Sequence, residues 1–225
     1  MSSTTARLAL IVGASRGLGR AIADDLAGRG WDVIGTVRTP SPEPTGHLTV
    51  EQLDINDTDG LAALRERLAG RTVDLLFVAA GTTNNEQTPI GEVSTADFVE
   101  VMVTNALGPM RVVEALADLV PADGLIGVMS SGQGSITNNE TGQREVYRGS
   151  KAALNMFMRG FAVRQAGSGR AFVLMAPGWI RTDLGGSEAP FSIDETIPLV
   201  VDVLLSRLGR PGLAYLDRFG RTVPW

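Results

Sequence analysis

Leu8-Ala9-Leu10-Ile11-Val12 runs straight into Gly13-Ala14-Ser15-Arg16-Gly17-Leu18-Gly19, and an amphipathic segment, Leu18–Ala27, follows at once. Five consecutive apolar residues are what a strand covered on both faces requires. The glycines after it permit a tight turn, close approach of the backbone to a pyrophosphate, and tight packing of helix on strand. The helix start then offers free N–H groups to the anion. The G-x-x-x-G-x-G spacing differs from G-x-G-x-x-G but meets the same three needs. The stretch predicts a parallel α/β sheet whose first turn cradles a dinucleotide.

The rest of the chain repeats that alternation. Trp31–Val37, His47–Leu53, Val73–Ala79, Leu125–Ser130, Arg170–Met175 and Gly212–Leu216 read as further strands. Asp57–Ala69, Thr95–Leu119, Glu145–Gln165 and Ile193–Leu208 read as further helices. Strands alternating with helices of this length imply βαβ units. The expected fold class is therefore α/β, with a single doubly wound Rossmann-type domain over residues 1–225. Its seven-stranded parallel sheet is flanked by helices on both faces. Pro109 should distort the Thr95–Leu119 segment, and Ser192 with Glu195 should form a capping box. Thr39–Gly46, with three prolines, reads as a loop.

Gly13-Ala14-Ser15-Arg16-Gly17 also fits the G-x-S-x-G turn of a hydrolase nucleophile. That chemistry needs a downstream acid and then a histidine, with strands ahead of the turn. The one histidine, His47, lies beside the proline-rich loop, and no strand precedes Leu8. Those grounds weigh heavily against a hydrolase, and the absence of Gly-Lys-Ser/Thr excludes a triphosphate-binding loop. Composition narrows the field further. There is no cysteine, so disulfides and thiolate chemistry are out, and one histidine makes a histidine-based metal site untenable. A net charge of −5 with scattered arginines offers no footprint for nucleic acid or an anionic membrane. The polar start Met1–Arg7 and the short run Leu8–Val12 suit neither a leader nor a membrane span, so a cytoplasmic protein is expected.

In a dinucleotide fold the end of the second strand meets the adenosine ribose, where an acid binds a free 2′-hydroxyl and arginine suits a 2′-phosphate. Here Gly35-Thr36-Val37-Arg38 carries no acid, and Arg16 should lie nearby. Two guanidiniums favour NADP(H) over NAD(H).

Lys151 is the single lysine among twenty basic residues, and it follows one of two tyrosines, Tyr147, by four positions. On a helix that spacing stacks ammonium and phenol on one face. A phenol beside a cation ionises more readily, which suits it to proton transfer.

Together these landmarks resemble the short-chain dehydrogenase/reductase family in its compact single-domain form, over nearly the whole chain. They are Gly13–Gly19, Leu53-Asp54-Ile55, Ala80-Gly81, Asn105, Ser130-Ser131, Tyr147-x-x-x-Lys151 and Pro177-Gly178-Trp179-Ile180-Arg181-Thr182. The ending Tyr215–Trp225 looks like that of C-factor-like and sniffer-type carbonyl reductases. The resemblance implies carbonyl–alcohol interconversion, with Tyr147 moving the proton and Lys151 holding the ribose and lowering the Tyr147 pKa. It also implies a serine on the substrate oxygen and Asn105 ordering water towards Lys151. Cofactor contacts are implied for Gly13, Ser15, Arg16, Gly17, Leu18, Gly19 and Arg38, then Asp54 and Ile55 at the adenine. They continue through Ala79, Ala80, Gly81, Tyr147, Lys151, Pro177 and Gly178, with Ile180 and Thr182 at the carboxamide. Family habit implies a homo-oligomer, dimer or tetramer.

The chain also departs from the family pattern. Val12 stands where a threonine is common, removing a hydroxyl that ties the glycine loop down, and Val78-Ala79-Ala80-Gly81 lacks the family's two asparagines. Two serines compete: Ser131, sixteen residues before Tyr147, and Ser135, twelve before it. Ser131 is favoured because a strand end positions a donor more firmly than a loop, and Ser130 should be structural. Met156, Phe157, Met158 and Phe161 read as core or subunit contact, and Trp179 either lines the pocket or covers the cofactor. The stretch Gly185–Pro190 reads as a mobile loop over the site. No substrate signature is present in the Thr82–Val93, Gly132–Arg144 or Asp183–Phe191 loops. The favoured substrate is a small or medium apolar ketone or aldehyde. The other reading is a non-catalytic dinucleotide-binding signalling or regulatory protein, for which an Asn/Ser/Tyr/Lys set would be superfluous.

Overall fold

The computed structural model describes residues 6–39, 48–84 and 87–225. Its seven strands are β1 (Leu8–Val12), β2 (Asp32–Val37), β3 (Leu48–Gln52), β4 (Leu75–Val78), β5 (Leu125–Met129), β6 (Ala171–Ala176) and β7 (Gly212–Asp217). All pair in parallel in the order β3-β2-β1-β4-β5-β6-β7. The seven-stranded doubly wound sheet is thus as expected. His47 and the Thr39–Gly46 loop, Thr39 apart, lie outside the described residues.

Side chains alternate across the sheet with period two, and the alternation sorts the core into two layers. Leu8, Leu10 and Val12 join Leu76, Val78, Ile126 and Val128 on one face. That face is covered by α2 (Thr58–Arg67), α4 (Gly108–Leu116) and α5 (Glu145–Arg164), through residues such as Leu64, Val113 and Phe161. Ala9 and Ile11 join Leu75, Phe77 and Val173 on the other, beneath α1 (Gly17–Gly28) and α6 (Ile193–Arg207). Every residue of β1, β4, β5 and β6 is buried, which explains their unbroken apolar runs. On α5, Met158 and Phe161 belong to the core, whereas Met156 and Phe157 are exposed.

The expected Thr95–Leu119 helix is divided. It begins as α3 (Thr95–Met102), widens into a π-helical turn at Val103–Leu107, and resumes as α4, with a final 3-10 turn at Ala117–Leu119. Pro109 is the cause: it has no N–H for the carbonyl four residues back, that of Asn105. The Gly108 N–H bonds the Val103 carbonyl instead, five residues back. Asn105 thereby lies in a bulge rather than in a regular helix. The capping box forms as expected: Ser192 Oγ accepts the Glu195 N–H at 3.2 Å, and the Glu195 carboxylate accepts the Ser192 N–H at 3.0 Å.

Candidate active site

A cleft of about 940 Å³ opens at the carboxyl ends of the strands, reaching from the turn after β1 across those after β4, β5 and β6. The order reverses between β1 and β4, where open α/β sheets place their ligands. Every cofactor-contact residue expected from the sequence lines this cleft, as do Ser131, Tyr147 and Lys151. Asn105 does not.

The glycine turn is shaped as a cradle. Gly13 and Gly17 adopt φ of +90° and +58°, the left-handed region that disfavours side chains. A Cβ on Gly13 would lie 2.8 Å from the Ala80 nitrogen, and one on Gly19 would strike the Gly13 carbonyl and approach Ala79 Cβ at 3.0 Å. The small residues Ala79 and Ala80 therefore let the loop sit close against β4. The hydroxyl missing at Val12 is supplied from β2: Thr36 Oγ1 accepts the Gly13 N–H at 3.1 Å, and the Thr36 carbonyl accepts the Ala14 N–H at 2.8 Å. Thr36 is 1% exposed. A buried hydroxyl in a strand beside a loop short of one was the signal for it. Close approach at glycines that carry no side chain, open helix N-terminal N–H groups and adjacent cations fit a dinucleotide pyrophosphate.

Arg38 is exposed at the end of β2 and makes no ion pair among the described residues. Arg16, which lines the same cleft, reaches the Asp183 carboxylate, the two side chains being 71% and 73% exposed. Asp54 Oδ1 accepts the Asn56 N–H at 2.9 Å, fixing the turn that sets Ile55 against the cleft.

Tyr147 and Lys151 occupy one face of α5, 8% and 3% exposed, with the ammonium 5.7 Å from the centre of the phenol ring. Lys151 Nζ donates to the Met129 carbonyl at 2.9 Å. Burial pushes the Lys151 ammonium down from 10.5 to about 8. Arg144, which the sequence reading missed, caps α5 at φ +59° with its guanidinium 4.8 Å from the Tyr147 ring centre. It is the sole non-glycine residue at positive φ among those described.

Asn105 lies behind this pair, fully buried. Its Oδ1 accepts the Thr82 N–H at 2.8 Å, and its Nδ2 donates to the Thr82 carbonyl at 2.9 Å and to Ser150 Oγ at 3.0 Å. Ser150 Oγ in turn donates to the Tyr147 carbonyl at 2.7 Å. The amide is wholly spent, linking the loop after β4 to the main chain under the phenol. Pro109 offers no N–H to the Asn105 main-chain carbonyl four residues back.

The two candidate serines part company. Ser131 Oγ accepts the Gln133 N–H at 3.1 Å, which steadies the oxygen and leaves its own hydrogen to donate into the cleft. Ser135 is 1% exposed, away from the cleft, and bonds the Trp225 main-chain oxygen at 3.4 Å. Ser130 Oγ donates to Asn155 Oδ1 at 2.6 Å within the core. The loop beyond Ser131 is held down by Trp225, whose oxygen also accepts Thr137 N–H at 3.0 Å and Thr137 Oγ1 at 2.7 Å.

Beyond β6, Trp179 Nε1 donates to the Gly185 carbonyl at 2.7 Å, so the half-exposed indole both lines the cleft and braces its rim. Thr182 Oγ1 accepts the Gly185 N–H at 3.0 Å, and Arg181 reaches the Ala189 carbonyl at 2.9 Å. A parallel bridge between Ile180 and Phe191 closes the base of this excursion. The rim is internally bonded at each of these points.

The family model for short chain dehydrogenases matches residues 7–191. The chain belongs to the short-chain dehydrogenase family. Among solved structures it is similar to a chain of Burkholderia multivorans described as a short-chain dehydrogenase/reductase with bound NADP. That likeness is 59% identity over 98% of this chain and 100% of that one, with a TM-score of 0.95. A carbonyl reductase of Pseudomonas aeruginosa in complex with NADP is 30% identical, covering 98% and 100% of the two chains, with a TM-score of 0.89. The C-signal protein of Myxococcus xanthus is 32% identical over 68% of this chain and 93% of its own length. As a short-chain dehydrogenase the protein is an NAD(P)-dependent dehydrogenase/reductase. Among its described residues no helix is long and apolar enough to cross a membrane.

Proposed function

We propose that this short-chain dehydrogenase is an NADP(H)-dependent oxidoreductase that interconverts a carbonyl and an alcohol, with Tyr147 as general acid and base. The observation that carries this reading is the convergence of Ser131, Tyr147 and the buried Lys151 on the cleft that the glycine turn opens. Gly13 to Gly19 and Arg16 would hold the pyrophosphate, Arg38 a 2′-phosphate, Asp54 and Ile55 the adenine. Pro177, Gly178, Ile180 and Thr182 would meet the carboxamide. When bound, the nicotinamide supplies the two electrons of carbonyl reduction by hydride transfer.

The chain's own residues handle the oxygen. Ser131 Oγ–H donates to the carbonyl oxygen, and the Tyr147 O–H donates beside it and gives up its proton as the alcohol forms. Charge building on that oxygen is met by donors already in place. Lys151 holds the ribose hydroxyls, and its positive charge favours the phenolate left behind. The bulge at Asn105 presents a carbonyl for the water that returns the proton.

Residues 1–225 act in this reading as one catalytic domain in the cytoplasm. Met156, Phe157 and Val163 on α5 and Phe98, Val99 and Leu107 beside it are exposed apolar side chains, which supports a homo-oligomer. The substrate class that suits Trp179 and Leu184 at the rim is a small or medium apolar ketone or aldehyde. A second reading, a dinucleotide-bound signalling protein, is favoured by the likeness to C-signal. A panel of aldehydes and ketones with NADPH and NADH, followed by nicotinamide absorbance, separates the two. Turnover that Tyr147→Phe abolishes, with NADPH binding intact, is the expected outcome. Wild-type rates in that variant would falsify the role of Tyr147, and cofactor binding with no turnover across the panel favours the signalling reading.

A further inference from the structure

Tyr215, the second of the two tyrosines, lies on β7 with 2% of its surface exposed. It pairs with Leu174 of β6, which pairs with Val128 of β5. From there its hydroxyl crosses β6 and donates to the Ser131 carbonyl beyond the end of β5. A ring this buried needs a partner for its O–H, and the partner is the main chain of the serine that faces the cleft.

The same turn is held at several further points. The Ser131 carbonyl also accepts the Gly134 N–H at 2.9 Å. Asn155, one helical turn after Lys151, takes the Ser130 hydroxyl and donates Nδ2 to the Gly134 carbonyl at 3.2 Å. A Cβ on Gly134 would lie 2.9 Å from Lys151 Cβ and 3.0 Å from Asn155 Nδ2, so the turn is seated directly on α5. Burial raises the Tyr215 phenol above its ordinary value, so it stays protonated and donating at neutral pH. Behind it, the Trp225 ring packs at a centroid distance of 5.6 Å. Ser131 Oγ thus depends for its position on a bond from the edge strand of the sheet, 84 residues away in sequence.

We propose that Tyr215 is a positioning residue for Ser131, fixing the main chain that aims the serine hydroxyl at the substrate oxygen. This rests on the reading of Ser131 as the serine that binds that oxygen.

The test is a double-mutant cycle of Tyr215→Phe and Ser131→Ala, assayed with NADPH and the panel carbonyl turned over fastest, alongside hydrogen–deuterium exchange of the Gly132–Ser135 amides. Tyr215→Phe keeps the ring, and the expected loss is about tenfold in kcat, the equivalent of one positioning hydrogen bond. The NADPH dissociation constant stays unchanged. Exchange at the Gly134 amide rises at least roughly threefold as that turn opens locally. In the Ser131→Ala background the same change costs nothing more, because no serine hydroxyl remains to be aimed. Equal losses in both backgrounds, or unchanged exchange, overturn the proposal and leave Tyr215 a packing residue. If Ser131→Ala alone turns over at the wild-type rate, it is the reading of Ser131 that fails.

Discussion

The Arg16 guanidinium meets the Asp183 carboxylate at 2.5 Å across the mouth of the cleft, joining the turn after β1 to the excursion after β6. The two residues are 167 apart in sequence, yet each belongs to a wall that a dinucleotide would touch. Both are largely exposed, and an exposed pair is worth only about 0–1 kcal/mol. A phosphate presenting two charges in the same place outcompetes one carboxylate. On the proposed reading the contact would yield to a bound phosphate, and it does little to hold the loops together.

Asp183→Asn removes that competitor. NADPH is expected to bind about two- to fivefold tighter, the range set by a surface ion pair, with a smaller gain at high salt. Titration of nicotinamide fluorescence at two ionic strengths measures it; weaker binding assigns Asp183 to the ligand rather than against it.

Arg38→Asp tests the choice of dinucleotide. The substitution places a carboxylate where a 2′-phosphate would sit, so NADPH affinity falls by about 100-fold while NADH is held or gains slightly. Parallel titrations with the two cofactors decide it, and equal losses contradict a phosphate at Arg38.

Thr36→Val keeps the shape of the side chain and deletes the acceptor of the Gly13 N–H. Leaving a buried donor unmade costs about 1–3 kcal/mol, which urea denaturation should register in full. Dinucleotide affinity falls with it because the cradle loses its tether. Thr36→Ser should recover most of both, and a Val variant as stable as wild type denies the bond any weight.

Lys151 gives a pH dependence whose sign is opposite to that of a lysine gaining a salt bridge. Its pKa is about 8 in the folded chain against an ordinary 10.5. Between those values the unfolded chain keeps a proton that the folded chain has released, so stability from this group grows as pH rises through the window. Below about 8 the cost of the buried charge is present in full. The Tm of wild type relative to Lys151→Met should therefore climb from neutral pH to about pH 10. On the proposed reading NADPH affinity moves the other way in wild type, since the ammonium that would hold the ribose is lost. A Tm difference that stays flat removes burial as the cause.

The strands β1, β4, β5 and β6 were legible because burial on both faces writes itself as unbroken apolar runs; β1 begins and ends where its sequence says. The helix over Thr95–Leu119 was legible in extent but not in form. Its apolar spacing continues through the π turn, and only Pro109 betrays the break. The site divides in the same way. Residues whose chemistry is local, such as Gly13 to Gly19 and the Tyr147–Lys151 pair, stand out from spacing alone. Thr36, Arg144 and Tyr215 act through partners that are distant in sequence or through an unusual φ. Nothing adjacent to them announces that. The sequence favoured Ser131 over Ser135 as a strand-end donor; that the Trp225 segment buries Ser135 is a fact of tertiary packing.

Thr36 and Arg38 are two residues apart on one strand, and that closeness constrains any redesign of cofactor preference. Replacing the end of β2 with the corresponding segment of an NAD-specific homologue would exchange a guanidinium for a carboxylate. Where that segment carries no hydroxyl at position 36, it would also remove the anchor of Gly13. Unless position 12 received a threonine in the same step, the graft would lose affinity for both dinucleotides, and a failure of anchoring would be mistaken for a failure of selectivity. On the proposed reading, anchoring and cofactor preference share one strand end in this chain.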